Sequence, residues 1–302
     1  MEADVLTQLS TRLADLAARG AAHVVRVGGR RAPSSGVVWS ADGIVVTTHH
    51  TLDRAEGVVL GLPSGAEVEA ELVGRDPTTD LAVLRAAAGG LEPAAWADEA
   101  ALRPGQLVLG ISRPGRTPRA ELATLVRAGG PFRAPGGGKI GRFLETTVER
   151  HPGVSGALVL GADGAGIGLA TAGLHRGAVL AVPPSTLSRV VKALLTHGEI
   201  RRGYLGIATT PVALPDEVRA ATGEELGLLV SRVEPESPAA RAGLLLGDAI
   251  LSVGGERLQD PSELLALLAE DRIGDTVTVK VLRAGEVRDV AITVGARGGG
   301  TS

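Results

Sequence analysis

The first part of the chain carries apolar residues at helical spacing. Over residues 5–19 they recur at intervals of three and four, which predicts an amphipathic helix. Thr7 and Ser10 are poor residues for a helix interior, so the pattern also allows a later start. The apolar stripe consists of Leu6, Leu9, Leu13 and Leu16.

From His23 onward the pattern changes to short runs rich in β-branched residues. Turn signals at residues 41–43 and 63–65 separate the first of these runs. Many short strands at regular spacing favour an all-β barrel or sandwich. The runs cover residues 24–27, 36–39, 44–47, 58–60, 81–84, 107–110, 157–160 and 178–182.

The stretch from Ser112 to Gly141 is rich in Gly, Pro and Arg and interrupts the strand pattern. A phosphate-binding loop would need Ser or Thr after Lys139, and the chain has Ile140 there. We therefore expect a mobile surface loop over this whole stretch.

A second break in the pattern marks a domain boundary. Residues 183–185 lead into a helical run that ends near residues 197–198, and a short basic link at 201–203 follows. The strand and helix pattern then resumes for roughly 90 residues, a typical length for a small domain. The sequence predicts one domain over residues 1–198, a second over 203–296, and a disordered tail over 297–302.

Composition narrows the function classes. The 302 residues are 44% apolar but only 2% aromatic, so the core must be aliphatic. A net charge of −3 gives no electrostatic footprint for nucleic acid, and the absence of cysteine excludes disulfides and thiolate metal sites. No run reaches the roughly 18 apolar residues of a membrane span, and the acidic N-terminus does not have the pattern of a signal peptide. We expect a cytoplasmic protein as the sequence stands, although a chain whose export segment had been removed would look the same.

Three side chains suggest hydrolytic chemistry. A hydroxyl nucleophile needs an adjacent base, and that base needs a carboxylate to fix its tautomer. The chain offers His50, Asp80 and Ser155, each at the edge of a predicted strand and in the order found in chymotrypsin-type double barrels. Backbone N–H groups of Gly153 and Ser155 are the candidates for an oxyanion hole. Taken singly, the three side chains could equally be a packed imidazole, a turn-capping carboxylate and a turn serine.

Several segments together resemble the HtrA (Deg) family of trypsin-like proteases with a C-terminal PDZ domain. The matching segments are residues 42–47 leading to His50, residues 74–84, residues 152–156 and residues 182–185. The resemblance implies a mainly β fold, a chymotrypsin-like double β-barrel of two six-stranded barrels followed by a small α+β PDZ domain. It also implies a serine endopeptidase of protein quality control that cleaves unfolded or misfolded proteins without a cofactor.

The chain departs from the family pattern around the serine. The family usually shows Asn-Ser-Gly-Gly-Pro, whereas here Val154 precedes Ser155 and Ala157 replaces the second glycine. Thr48-His49 stands where a pair of asparagines is common. A catalytically impaired protein that acts as a peptide-binding or chaperone module is therefore the alternative interpretation.

Residues 202–207 resemble the carboxylate-binding loop and first groove strand of a PDZ domain, which binds peptides with hydrophobic C-termini. In this interpretation a hydrophobic C-terminus in the groove also switches on the protease. The predicted groove residues are Tyr204, Leu205, Gly206 and Ile207 on one wall and Leu264, Leu265 and Leu268 on the other.

The remaining histidines give weaker expectations. His151 could line the pocket for the residue before the scissile bond, or be a solvated loop imidazole. His49 should point away from His50, because adjacent residues face different sides. The histidine spacing predicts no metal site. Relatives form homotrimers through an N-terminal segment that carries aromatic residues; residues 1–30 contain none, so a trimer is implied by the resemblance alone.

Overall fold

A computed structural model describes residues 4–28, 33–53, 56–200, 202–268 and 272–297. The chain forms two compact units, Met1–Glu199 and Ile200–Ser302. None of the helices in the described ranges combines the length and the apolar character needed to cross a membrane.

The first unit begins with the predicted helix. Helix α1 spans Val5–Ala22, so it starts early and runs three residues beyond the predicted end. Leu16 is buried, whereas Leu6 is 71% exposed and Leu9 is 42% exposed. Only the C-terminal part of the apolar stripe therefore packs against the protein.

The first barrel follows α1 and places two of the candidate residues. Its six strands close in the order β1-β2-β3-β6-β5-β4, all antiparallel. The core is aliphatic, with Val25, Val45, Leu60 and Leu84 fully buried. The strands are β1 (Val24–Gly28), β2 (Ser34–Val38), β3 (Ile44–Thr48), β4 (Val58–Gly61), β5 (Glu67–Asp76) and β6 (Leu81–Ala86).

The second barrel also closes from six antiparallel strands, in the order β11-β14-β13-β12-β7-β8, and β9 pairs with β10 beside it. Its core includes Leu125, Val159 and Ala170. The strands are β7 (Leu107–Ser112), β8 (Arg119–Ala128), β9 (Phe132–Arg133), β10 (Lys139–Ile140), β11 (Leu144–Thr146), β12 (Leu158–Gly161), β13 (Gly166–Thr171) and β14 (Val179–Val182). Helix α2 (Pro184–His197) ends the unit at Gly198, which has a positive φ of 73° as a helix C-cap.

The prediction of a loop over the whole of Ser112–Gly141 is wrong. Strand β8 lies inside this stretch and is a wall of the second barrel. Ala123 and Leu125 face the core, while Leu122 is 52% exposed on the opposite face. The Gly and Pro residues flank the strand rather than interrupt it, which is why overall composition gave the wrong answer.

The second unit is a small α+β domain. Its main sheet has the order β16-β17-β18-β20-β21, with β19 paired to β18 and a separate pair β15-β22. Leu228, Val230, Ile250 and Val279 are fully buried in its core. The elements are β15 (Arg202–Tyr204), β16 (Ile207–Ala213), α3 (Asp216–Thr222), β17 (Leu226–Val233), α4 (Pro238–Arg241), β18 (Ala249–Val253), β19 (Glu256–Arg257), α5 (Pro261–Leu267), β20 (Thr276–Arg283), β21 (Glu286–Thr293) and β22 (Gly295–Arg297).

Two barrels followed by an α+β domain confirm the predicted fold class. The predicted disordered tail is wrong at Arg297, which closes β22 opposite Arg202. Residues 298–302 lie outside the described part of the chain.

Candidate functional site

The first unit brings the three candidate side chains to one place. His50 lies in a 3-10 turn, His49–Thr51, directly after β3, and Asp80 lies directly before β6. Ser155 comes from the second barrel, in the serine turn (residues 151–156) that precedes β12. His50 and Asp80 thus stand directly at strand ends, and Ser155 lies in the turn just before a strand, so the two barrels position all three.

The side chains form one continuous hydrogen-bonded row. His50 Nδ1 lies 2.7 Å from Asp80 Oδ2, and His50 Nε2 lies 3.2 Å from Ser155 Oγ. The backbone N–H of His50 also donates to Asp80 Oδ1 at 2.9 Å. The imidazole therefore has a carboxylate on one nitrogen and a hydroxyl on the other, the arrangement that a base-activated nucleophile requires.

The Asp80 backbone adopts an unusual conformation that aims its carboxylate. Its φ is +58°, in the left-handed region that Asp tolerates better than most residues. The preceding turn is fixed by Asp76, which accepts hydrogen bonds from the hydroxyls of Thr78 at 2.6 Å and Thr79 at 2.7 Å. The Asp80 carbonyl in turn accepts the N–H of His49 at 3.0 Å. Local hydrogen bonds thus hold the carboxylate, which is 5% exposed.

Two further residues of the site were not predicted from the sequence. Thr171, at the end of β13, is fully buried; its hydroxyl donates to Asp80 Oδ2 and accepts the N–H of Gly173 at 3.0 Å. A Cβ at Gly173 would lie 2.6 Å from Asp80 Oδ2 and 2.7 Å from His50 Nδ1, so no side chain fits there. The sequence contains no usable signal for either residue, because the glycines of β13 obscure the strand that ends at Thr171.

The serine turn leaves two N–H groups available. The N–H of Val154 donates to the carbonyl of His151 at 3.1 Å, and Gly153 has a φ of +93°. Proline in second position and glycine with positive φ in third position fit a type II turn. Within the described ranges, the N–H groups of Gly153 and Ser155 donate to no protein acceptor. These are the two donors expected to form an oxyanion hole.

The two departures from the family pattern are accommodated by the second barrel. Val154 is 3% exposed and Ala157 is 1% exposed, and both belong to the barrel core. Ala157 has no positive φ, whereas Gly153 and Gly156 do. An alanine at position 157 therefore carries no backbone strain, and Val154 exchanges a side-chain hydrogen bond for apolar burial.

A cavity of about 390 Å³ opens beside Ser155. His151 contributes to its wall, with its Nε2 4.0 Å from Glu121 Oε2. His49 does not line this cavity; burial, together with the charge of Arg75, holds its pKa below the usual value, although Asp80 opposes that effect. Among the described side chains, no group of three His, Asp or Glu residues could hold a metal ion.

The second unit has a comparable arrangement of free donors. The carbonyls of Leu205 and Gly206 accept the N–H groups of Ala239 at 2.9 Å and Glu234 at 2.8 Å. The N–H groups of Leu205 and Gly206 themselves donate to no acceptor in the part of the chain that is described. Gly206 has a φ of +81°, and a Cβ there would lie 2.2 Å from Ser237 Cβ. Tyr204 supports the loop by donating its hydroxyl to Glu234.

The predicted groove side chains divide into two groups. Leu205 is 2% exposed, and Leu264 and Leu268 are each 5% exposed, so these three belong mainly to the domain core. Ile207 and Leu267 pack against that core but are only partly buried, so part of each side chain stays exposed. The side chain of Leu265 lies outside those described. Groove lining by these residues stays a prediction.

Comparisons with known proteins agree with this architecture. Residues 34–169 match the family described as Trypsin-like peptidase domain, and residues 203–294 match the PDZ domain family. The chain is 32% identical to "Probable periplasmic serine endoprotease DegP-like" of Brucella suis biovar 1 (strain 1330), over 92% of this chain but only 56% of the relative's length. It is 28% identical to "Serine endoprotease DegS" of Haemophilus influenzae, over 86% of this chain and 76% of that protein.

A solved structure, "HtrA-type protease AlgW with tripeptide", is similar with a TM-score of 0.72 and 30% identity, over 94% of this chain and 97% of the other. Both halves of the chain and their order along it are therefore shared with the same group of proteins. The chain belongs to the HtrA family of trypsin-like serine proteases, with a PDZ domain after the protease domain.

Proposed function

We propose that this protein is a serine endopeptidase in which Ser155 Oγ attacks the scissile carbonyl. His50 accepts the hydroxyl proton and later delivers it to the leaving amine, while Asp80 orients and stabilises the imidazolium. The observation that carries the proposal is the unbroken row from Ser155 Oγ through His50 to Asp80, with separations of 3.2 and 2.7 Å.

The serine turn supplies the electrostatic part of the mechanism. Negative charge develops on the carbonyl oxygen during attack, and the free N–H groups of Gly153 and Ser155 can stabilise it. Removing one such donor from a serine protease costs about 10²–10³ in turnover. The unstrained Ala157 and the buried Val154 favour an active enzyme over an impaired peptide-binding relative.

Covalent labelling tests the assignment directly. We expect a fluorophosphonate probe to modify the protein at Ser155, and Ser155→Ala to abolish both labelling and casein cleavage. Ser64→Ala, a matched change in a surface turn, should alter neither. If the folded protein with a hydrophobic-ended peptide present acquires no adduct on Ser155, the peptide-binding alternative replaces the protease.

We propose unfolded polypeptides as substrates and a C-terminal peptide as regulator. The free N–H groups of Leu205 and Gly206 suit a terminal carboxylate, and an edge strand such as β16 can add a peptide strand. The similarity to AlgW, solved with a tripeptide, supports peptide binding in this family.

A labelled peptide with a hydrophobic C-terminus should bind and accelerate casein cleavage, because an activating ligand must prefer the active state. The same peptide with an amidated C-terminus is the matched control, since it lacks the carboxylate. Equal binding of both peptides would contradict the carboxylate site, and unchanged casein cleavage would contradict the coupling.

The names of the relatives bear on location. Because the DegP-like relative is described as periplasmic, we propose that this protein acts outside the cytoplasm rather than inside it. A homotrimer stays a prediction from the resemblance.

A further inference from the structure

One buried residue of the first barrel is bonded to the serine turn of the second. Ser35 lies on β2 and is fully buried. Its hydroxyl lies 2.7 Å from the carbonyl oxygen of Gly153, and its backbone N–H donates to the carbonyl of Ser155 at 3.0 Å. The approach is close, since a Cβ at Gly156 would lie only 1.8 Å from the Ser35 carbonyl oxygen.

The direction of the Ser35 hydroxyl bond is fixed by a second partner. The backbone N–H of Arg113 donates to Ser35 Oγ at 2.8 Å. A serine hydroxyl has one proton, so with a lone pair occupied by Arg113 that proton is available for the Gly153 carbonyl. Arg113 is itself anchored, because its buried guanidinium donates to the carbonyls of Val24 at 2.7 Å and Ala21 at 2.8 Å.

These bonds hold the peptide planes on either side of the two free donors. In the 153–154 peptide, Ser35 holds the carbonyl while the N–H donates to His151. In the 155–156 peptide, the Ser35 N–H holds the carbonyl while the Gly156 N–H donates to Ala170 at 2.8 Å. The N–H groups of Gly153 and Ser155 belong to the neighbouring planes and are left directed away from these contacts.

We infer that Ser35 is a positioning residue that holds the serine turn in the conformation with both oxyanion donors free. It acts through the Gly153 and Ser155 carbonyls and is not among the residues that line the cavity beside Ser155. This inference rests on the proposed protease function.

The test compares Ser35→Ala and Ser35→Cys with wild type and with the control Ser34→Ala. Ser34 is a buried serine on the same strand with no hydrogen bond to the serine turn. The chain contains no cysteine, so Ser35→Cys introduces the only thiol, a weak donor of nearly the same shape. Fluorophosphonate labelling of the full chain gives the maximal rate of Ser155 modification and the half-saturating probe concentration separately.

We expect Ser35→Ala to lower the maximal labelling rate and the kcat for casein about 10- to 100-fold. This decrease is no larger than the fall in turnover that follows removal of a whole oxyanion donor. Ser35→Cys should be intermediate, Ser34→Ala should match wild type, and the half-saturating concentration should stay within about twofold. A purely structural role would instead lower the melting temperature without lowering the maximal rate at an unchanged half-saturating concentration.

Wild-type rates in both Ser35 variants, or a loss confined to the half-saturating concentration, would overturn the inference. If Ser35→Ala does not fold, Ser35→Cys decides; failure of both to fold assigns Ser35 to stability and also overturns it. Absence of labelling in the wild type would instead refute the protease function itself.

Discussion

Gly173 provides the sharpest test of how the proposed catalytic row of Ser155, His50 and Asp80 is held. An added Cβ would lie 2.6 Å from Asp80 Oδ2 and 2.7 Å from His50 Nδ1, the two atoms that hydrogen-bond to each other. Gly173 has no positive φ, so alanine meets no backbone obstacle and only the lack of space matters. Gly173→Ala therefore perturbs one contact with one methyl group.

The magnitude follows from the distances. Ordinary Cβ contacts begin near 3.4 Å, so one partner has to move by several tenths of an ångström. A misplacement of about 1 Å costs about 100-fold in rate, and we expect kcat/KM for casein to fall by roughly 30- to 100-fold. Stability should change less than activity, because His50, one of the two affected side chains, lines the open cavity and can shift toward it.

The assay measures casein cleavage and thermal unfolding for Gly173→Ala and for Gly130→Ala. Gly130 has no positive φ, and a Cβ there meets nothing within 4 Å, so its variant should behave as wild type. Activity of Gly173→Ala within about threefold of wild type, a loss of under 1 kcal/mol, would refute the reasoning. It would mean that the loop moves aside and that Gly173 does not set the position of the imidazole.

Further predictions concern the surrounding residues. Thr171→Val removes a hydroxyl that donates to the Asp80 carboxylate. We expect kcat to fall about 10-fold, because a hydrogen bond to a charged group contributes about 1.5–3 kcal/mol. A change in kcat of under twofold in steady-state assays would contradict this. Ala157→Gly restores the family glycine but removes a buried methyl group from a site without backbone strain. The free energy of unfolding measured with urea should fall by about 1 kcal/mol, and casein cleavage should not increase. For Asp248, burial raises the pKa, but hydrogen bonds from Arg283 and the Leu245 N–H outweigh it, so the folded pKa lies below its usual value. This stabilisation is fully present above the unfolded pKa of about 4 and is lost as the pH falls through the lower folded value. The melting temperature of the wild type should therefore fall more steeply below about pH 4 than that of Asp248→Asn. Parallel dependence of the two melting temperatures on pH would refute this expectation.

The strand pattern of the sequence was sufficient for the fold class. The β-branched runs at residues 24–27, 44–47 and 81–84 correspond to β1, β3 and β6, because alternating and short apolar runs reflect local burial directly. Among the barrel strands, the pattern missed β5, β8, β11 and β13. In β8 the core face buries only Ala123 and Leu125, while Leu122 and Val126 are exposed on the other face, so the sequence shows no clear apolar–polar alternation. In β13, Gly166 and Gly168 replace the side chains that would have signalled a strand.

The candidate residues divide in the same way. His50, Asp80 and Ser155 could be nominated from their order and from flanking turn residues, since a nucleophile, its base and a carboxylate are recognisable as chemical types. Ser35, Thr171 and Gly173 could not, because a buried serine, a strand-end threonine and a loop glycine have no distinctive chemistry. Their contribution depends on contacts with residues far away along the chain, such as Thr171 with Asp80, 91 positions away, and Ser35 with Gly153, 118 positions away.

The sequence by itself indicated two strand-rich domains, an aliphatic core, and a histidine, an aspartate and a serine in the order found in chymotrypsin-type proteases. Only the tertiary structure decided that the imidazole lies within hydrogen-bonding distance of both partners and that Val154 and Ala157 are accommodated without strain. The physical reason is that strand formation is encoded by neighbouring residues, whereas hydrogen bonds between the two barrels depend on how both barrels close and pack. Differences of a few tenths of an ångström in these hydrogen-bond distances decide whether a serine can act as a nucleophile, and they arise only from that packing.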